Sequence, residues 1–217
     1  PEFMYLPRKF KIAMSGGAED RAAIKFHDIG LRATMRDGVR GLEVYVGGGM
    51  GRTPRIAKLV CDFLPLEHTL SYLEAILRVY NLHGRRDNKY KARIKILIGA
   101  LGVEAFREQV EAEWELIKHQ TLDLKELDRV TAMFDTIDYD ADAAQSTDYK
   151  DRAASDPAFA SWLEHNTIDH KHAGYRIVTC SVKAHGQPPG DMATEQLYGL
   201  AQVMDRFNDG IACVTYN

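Results

Sequence analysis

At 217 residues, 45% of them apolar and 27% charged, the chain is long enough for one large domain or a domain and a half with a substantial core. Its formal net charge of −3 excludes a whole-molecule attraction to nucleic acid or acidic membranes, so any anion site must be a local concentration of cations. Cys61, Cys180 and Cys213 lie far apart and form no C-x-x-C pair, which speaks against a disulfide framework or a metal cluster held by this chain and for a reducing, cytoplasmic setting.

Pro1-Glu2-Phe3 reads as a cloning-site scar and is set apart from the fold, with the natural sequence expected to begin at or after Met4. Tyr5-Leu6-Pro7-Arg8-Lys9-Phe10-Lys11 then gathers three cations at the opening of an expected strand, Arg8 to Ser15. Alternation would put Lys9 and Lys11 on one face and Arg8 and Phe10 on the other. Two readings stand: a solvated basic edge strand that discourages sheet-to-sheet pairing, or a pair of ammonium groups that needs an anion. Apolar runs at Phe26–Leu31 and Leu42–Val46, with Asp37-Gly38 as a hairpin turn between them, predict a small antiparallel sheet. Gly47-Gly48-Gly49-Met50-Gly51 breaks the pattern. It lets a backbone approach a ligand closely or simply turns the chain, and it lacks both the Lys-Ser/Thr of a nucleotide loop and the dinucleotide fingerprint.

Helices are expected over Arg55–Phe63 and Glu67–Tyr80, the second with Leu70, Leu73, Ile76, Leu77 and Tyr80 on its buried stripe. Two more are expected over Asp87–Leu101, capped by Gly102, and Val103–His119. In the first of these Lys91 and Lys95 would share a face of a basic block running from Arg85 to Lys95, while Ile94, Leu97 and Ile98 turn inward. From Gln120 to Asp156 periodicity weakens and Asp is frequent, as in a linker. A strand at Tyr175–Lys183, a helix from a Thr194 cap to about Asn208 and a strand at Ile211–Tyr216 complete a β-α-β unit. The His27-Asp28 doublet and the histidines His165, His170, His172 and His185 match no metal-ligand spacing, so no metal site is assigned. No apolar run approaches the roughly 18 residues of a membrane span, and no signal-peptide pattern is present. The fold class is α+β: a mixed or antiparallel sheet with packed helices, followed by a partial ferredoxin-like half-domain.

Several of these segments together resemble the siroheme-containing nitrite and sulfite reductases. They are Tyr5-Leu-Pro-Arg-Lys-Phe-Lys11, His27-Asp-Ile-Gly-Leu31, Val46-Gly-Gly-Gly-Met-Gly-Arg-Thr-Pro54, Phe63-Leu-Pro-Leu-Glu-His68, Gly84-Arg-Arg-Asp-Asn-Lys-Tyr90 and Gly102-Val-Glu-Ala-Phe106. Gly174-Tyr175, Pro189-Gly-Asp191, Thr194-Glu-Gln196 and Thr215-Tyr-Asn217 extend the likeness to the tail. The resemblance implies a six-electron reductase of sulfite to sulfide, or nitrite to ammonia, with siroheme and a [4Fe–4S] cluster in the full-length parent. Electrons would come from ferredoxin or a flavoprotein reductase subunit, with no nucleic acid and no membrane as partner. It implies Lys9 and Lys11 as the catalytic distal groups. Arg8, Gly47, Gly48, Gly49, Arg52, Thr215 and Asn217 become candidate cofactor contacts. Residues 4–119 would be the siroheme-side domain, 120–173 a linker with helical pieces, and 174–217 the first half of a second ferredoxin-like half-domain. The family holds its cluster with two closely spaced cysteine pairs, which this sequence lacks. The chain is therefore expected to be an internal fragment that binds neither cluster nor siroheme and is inactive alone. The rival expectation is a non-catalytic anion- or partner-binding domain that keeps the scaffold.

Overall fold

A computed structural model describes residues 2–17, 19–134, 139, 148–208 and 210–214. The chain divides after Met133 into two compact units. The first is built on a four-stranded mixed sheet, β1 (Ile12–Ser15), β2 (Ile29–Arg36), β3 (Val39–Val46) and β4 (Lys58–Pro65), in that spatial order. β1 runs parallel to β2 and the other pairs are antiparallel, so the sheet is mixed. Asp37 and Gly38 both have positive φ, 52° and 78°, between the paired residues Arg36 and Val39, as a type I′ turn requires.

Four helices follow: α1 (Thr69–His83), α2 (Ile94–Leu101), α3 (Val103–Ile117) and α4 (Leu124–Ala132). Tyr72, Ala75, Ile76, Val79 and Tyr80 of α1, with Phe106 and Val110 of α3, meet Ile29, Leu31, Leu42, Val44, Val46, Val60 and Leu64 of the sheet in one core. Gly102, at φ 85°, closes α2 by donating its N–H to Ile98 and opens α3 directly.

Four expectations for this unit are corrected. The segment expected as a helix over Arg55–Phe63 is strand β4. Its buried residues Val60 and Leu64 stand four apart, as on a helix, because bulges between Leu42 and Tyr45 interrupt the pairing and the alternation. The first strand begins at Ile12 instead of Arg8, since the ladder with β2 starts at the Ile12–Ile29 pair. On α1 the buried stripe is rotated toward the tyrosines: Leu70 is exposed, and Tyr72 is buried with its hydroxyl donating to Glu111 at 2.6 Å. The helix expected from Asp87 begins only at Ile94, after a 3-10 turn at Lys89–Lys91 and an extended Arg93, so Lys91 and Lys95 share no helical face.

The second unit holds α5 (Asp148–Ser155), α6 (Pro157–Asn166), the antiparallel pair β5 (Thr167–Asp169) and β6 (Arg176–Val178), and α7 (Thr194–Phe207). The strand expected over Tyr175–Lys183 shortens to β6. Thr194 is the first residue of α7 and Ala193 caps it, its N–H donating to the Gln196 side chain at 2.8 Å. Ile211–Val214 is not a strand, and the rest of that expected segment lies outside the described residues. No described residue from 134 to 214 is buried, so these short strands have no core to settle against. Tyr139 stacks on His172 and His170, with ring centroids 4.1 and 5.1 Å away. Among the described residues no group of three or more His, Cys, Asp or Glu converges as a metal site, and no helix is long and apolar enough to cross a membrane.

Candidate functional site

The Tyr5–Lys11 heptad is held by point contacts along its length. Leu6 and Phe10 pack on the core, and Pro7 sits where Gly84 leaves room: a Cβ on Gly84 would come within 2.6 Å of the proline ring. Arg86 donates to the Tyr5 carbonyl at 2.6 Å, and the Arg8 guanidinium donates to the Lys89 carbonyl. The Tyr80 hydroxyl lies 3.0 Å from the Arg8 carbonyl and 2.8 Å from that of Ala92; burial pushes its pKa up to about 12. The alternation expected of a strand thus survives outside the sheet. Phe10 and Arg8 turn toward the protein while Lys9 and Lys11 stay exposed, and no described carboxylate pairs with either ammonium. Glu2, set apart as a scar residue, pairs with Arg78 on α1 at 2.9 Å.

Behind the lysines lies Asp28, which is fully buried. Its Oδ1 accepts from Arg93 Nε at 2.9 Å. Its Oδ2 accepts from the Lys11 main-chain N–H at 2.9 Å and from a second Arg93 nitrogen. Its own carbonyl accepts the Gly47 N–H at 2.8 Å. In the sequence Asp28 stands in a metal-like doublet and in one motif of the resemblance, with no role of its own, and Arg93 stands only as one cation of a basic helix. The available signal was an acidic residue immediately ahead of the apolar run Ile29-Gly30-Leu31, a position where a carboxylate is buried and must find a cation.

The glycine run is explained first by packing. Gly47 has φ 90°, and a Cβ there would meet Ile98 at 2.8 Å. A Cβ on Gly48 would collide with the main-chain oxygens of Lys25 and His27. Gly49 is the loosest, with the flexible Lys95 stem at 3.2 Å. The loop beyond is pinned at its base by mutual Gly49–Arg55 main-chain bonds of 2.9 Å, and from beneath by the buried Lys95, whose ammonium donates to Met50 and Thr53 carbonyls at 2.8 and 2.7 Å. Desolvation, with Arg93 nearby, lowers the Lys95 pKa below the ordinary lysine value. Arg52 stands exposed in this loop. Among the expected site residues, then, Lys11 and Gly47 are tied together through Asp28, Lys9 and Arg8 adjoin them on the heptad, and Arg8 is committed to Lys89. Thr215 and Asn217 lie outside the described residues.

The donor set does not fit an iron–sulfur cluster. Cys61 is half-buried on β4 and burial pushes its thiol up, away from the thiolate a cluster needs; Cys180 and Cys213 are exposed singly in the other unit. The exposed Lys9 and Lys11, on a backbone held at Arg8 and at Lys11, do fit carboxylate and oxyanion acceptors.

The first unit is thus an α+β scaffold on which the exposed Lys9 and Lys11 stand on a segment that Asp28 ties to the glycine-rich turn. Residues 1–118 match the family described as the nitrite and sulphite reductase 4Fe-4S domain, and the chain belongs to it. It is 38% identical over 116 residues to the sulfite reductase [NADPH] hemoprotein beta-component of Chromohalobacter salexigens, covering 50% of this chain and 20% of that protein. It is 29% identical over 215 residues to the ferredoxin–nitrite reductase of Synechococcus elongatus, covering 96% of this chain and 34% of that protein. The solved Mycobacterium tuberculosis NirA protein aligns with a TM-score of 0.48 at 35% identity, over 52% of this chain and 21% of that one. The chain therefore spans about a fifth to a third of the length of these relatives.

Proposed function

We propose that this chain supplies the anion-binding face of a siroheme-dependent reductase that carries out the six-electron reduction of sulfite to sulfide or of nitrite to ammonia. The observation that carries the reading is the Lys9–Lys11 pair: two exposed ammonium groups on a backbone fixed from behind, with no described carboxylate to neutralise them. Siroheme, when bound, supplies the redox-active iron. The residues of this chain do the rest. Lys9 and Lys11 bind the oxyanion, hold its negative charge as it develops, and pass protons to oxygens that leave as water. Electrons come from a ferredoxin or a flavoprotein reductase subunit. Because its three cysteines do not fit the cluster, no step is assigned to a cluster held by this chain, and the chain by itself is inactive. The same cysteine placement favours a second reading, a non-catalytic anion- or partner-binding domain on the reductase scaffold.

Replacing Lys9 and Lys11 by Met in the reductase that carries this sequence decides between them. Turnover with a chemical reductant is expected to fall about a hundredfold, the usual loss on removing a positioned charge or proton donor, with cofactor absorbance unchanged. Unchanged turnover refutes the catalytic assignment. A strong Soret band with a cluster shoulder in the purified 217-residue chain refutes the expectation that it binds neither siroheme nor cluster on its own.

A further inference from the structure

We infer that Asp28 and Arg93 are positioning residues for the Lys9–Lys11 pair, deepening the reading above and resting on it. The lysine segment lies outside the sheet: the ladder between β1 and β2 begins only at Ile12. One residue earlier, the Ile29 N–H still reaches the Lys11 carbonyl at 3.1 Å, but the Lys11 N–H goes to the Asp28 side chain. The Asp28 carboxylate thus stands in for the strand partner that the ladder lacks and fixes the peptide at Lys11, two residues from Lys9. Arg93 fixes that carboxylate through two nitrogens, and the Gly47 N–H fixes the same residue through its carbonyl. A buried ion pair of this kind adds little net stability, because desolvating both charges offsets most of their attraction. What it adds is geometry. The carboxylate joins the heptad to the start of α2, and the main-chain carbonyl of the same residue adds the glycine turn.

The chemistry of the carboxylate makes the role specific. Its two oxygens serve two Arg93 nitrogens and the Lys11 amide together. An asparagine keeps one acceptor oxygen, which can still take the Lys11 N–H and one Arg93 nitrogen, but it loses the charge and sets an NH2 donor against the other Arg93 nitrogen, so the shared grip is loosened. Lysine in place of Arg93 keeps the charge and loses the two-pronged grip.

The test uses the isotopically labelled 217-residue chain, with sulfite titrated while the Lys9 and Lys11 signals are followed by NMR, and amide exchange at Lys11 compared with that at the core residue Phe106. Asp28→Asn is expected to speed Lys11 exchange at least tenfold more than that of Phe106, and to weaken sulfite binding about tenfold. Arg93→Lys should do both to a smaller degree. Wild-type sulfite affinity in Asp28→Asn overturns the inference, and so does equal acceleration at Lys11 and Phe106, which marks a merely structural pair. If Asp28→Asn does not fold, the same two measurements on Arg93→Lys decide, with the same outcomes for and against. The double variant Lys9→Met/Lys11→Met separates the layers. Loss of binding there with full binding in Asp28→Asn sinks the positioning role alone, whereas binding that survives the double variant sinks the lysine reading and the inference with it.

Discussion

Alanine substitution along Gly47-Gly48-Gly49 separates packing from ligand contact, because the structure ranks the three positions differently for each. At Gly48 a new Cβ would lie 2.5 Å from the His27 oxygen and also strike the Lys25 oxygen; both belong to the main chain around a 3-10 turn at Ile24–Phe26 and neither can rotate away. Overpacking of this kind costs about 1–3 kcal/mol, and rigid neighbours put Gly48→Ala near about 3 kcal/mol. At Gly47 the positive φ adds about 1–2 kcal/mol for any residue with a Cβ, while the facing Ile98 side chain can adjust. At Gly49 the neighbour is a flexible lysine stem 3.2 Å away, and the stiffer unfolded chain returns about 0.4–1 kcal/mol, so Gly49→Ala should be close to neutral. Urea unfolding of the chain measures all three, with midpoints expected to shift and slopes to stay constant. Gly48→Ala should also melt about 10 °C lower. A Gly48→Ala variant as stable as the parent, or a Gly49→Ala variant as damaged as Gly48→Ala, refutes the packing account. Loss of anion binding in Gly49→Ala at full stability would instead return that glycine to the ligand pocket.

Lys95→Met keeps the buried stem and removes the ammonium from the Met50 and Thr53 carbonyls, so the loop carrying Arg52 should loosen at a cost of about 2 kcal/mol and be cut faster by trypsin. Because Lys95 binds its proton less tightly in the fold than in the unfolded chain, stability should rise as pH climbs through its lowered pKa toward the ordinary lysine value; Lys95→Met should abolish that rise. Tyr80 behaves oppositely. Its pKa, pushed up to about 12 by burial, keeps the proton on the folded state, so the stability it contributes is intact below the ordinary tyrosine value of about 10 and is lost as pH rises to about 12. Tyr80→Phe should remove that alkaline loss and cost about 1–2 kcal/mol at neutral pH, read by urea unfolding and by the missing late step in the tyrosinate titration.

The parts of the fold legible in the sequence are those that local chemistry dictates. Asp37-Gly38 forces a two-residue hairpin, Gly102 ends a helix, and Ile94, Leu97 and Ile98 face inward as their spacing requires. What escaped depends on contacts between distant segments. Val60 and Leu64 look helical because Asp62 between them, which plain alternation would bury, is turned out where the pairing with β3 shifts register. Tyr72 and Tyr80 displace Leu70 from the α1 stripe because Glu111 and the Arg8 and Ala92 carbonyls are there to satisfy their hydroxyls. The helix after Asp87 starts late at an extended Arg93, whose side chain reaches back 65 residues to Asp28. Lys9 and Lys11 were legible as a charge cluster, but Asp28, which accepts the Lys11 N–H, was hidden because its partners lie in two other segments.

The second cationic block shows why charge counting alone misplaces a site. Read as a helix face, Arg85 to Lys95 is a basic surface of its own. In the fold most of its cations turn onto protein acceptors: Arg85 onto Asp87, Arg86 onto Tyr5 and Asn81, Arg93 onto Asp28, and Lys95 onto Met50 and Thr53. The Lys89 carbonyl receives Arg8 as well. The block is therefore a bracket for the heptad. Arg86, through the Tyr5 carbonyl, and Arg93, through Asp28, fix the backbone that carries Lys9 and Lys11, and those two remain exposed. A site for a small anion needs this division of labour, since ammonium groups left free to move would lose in orientation what they gain in number.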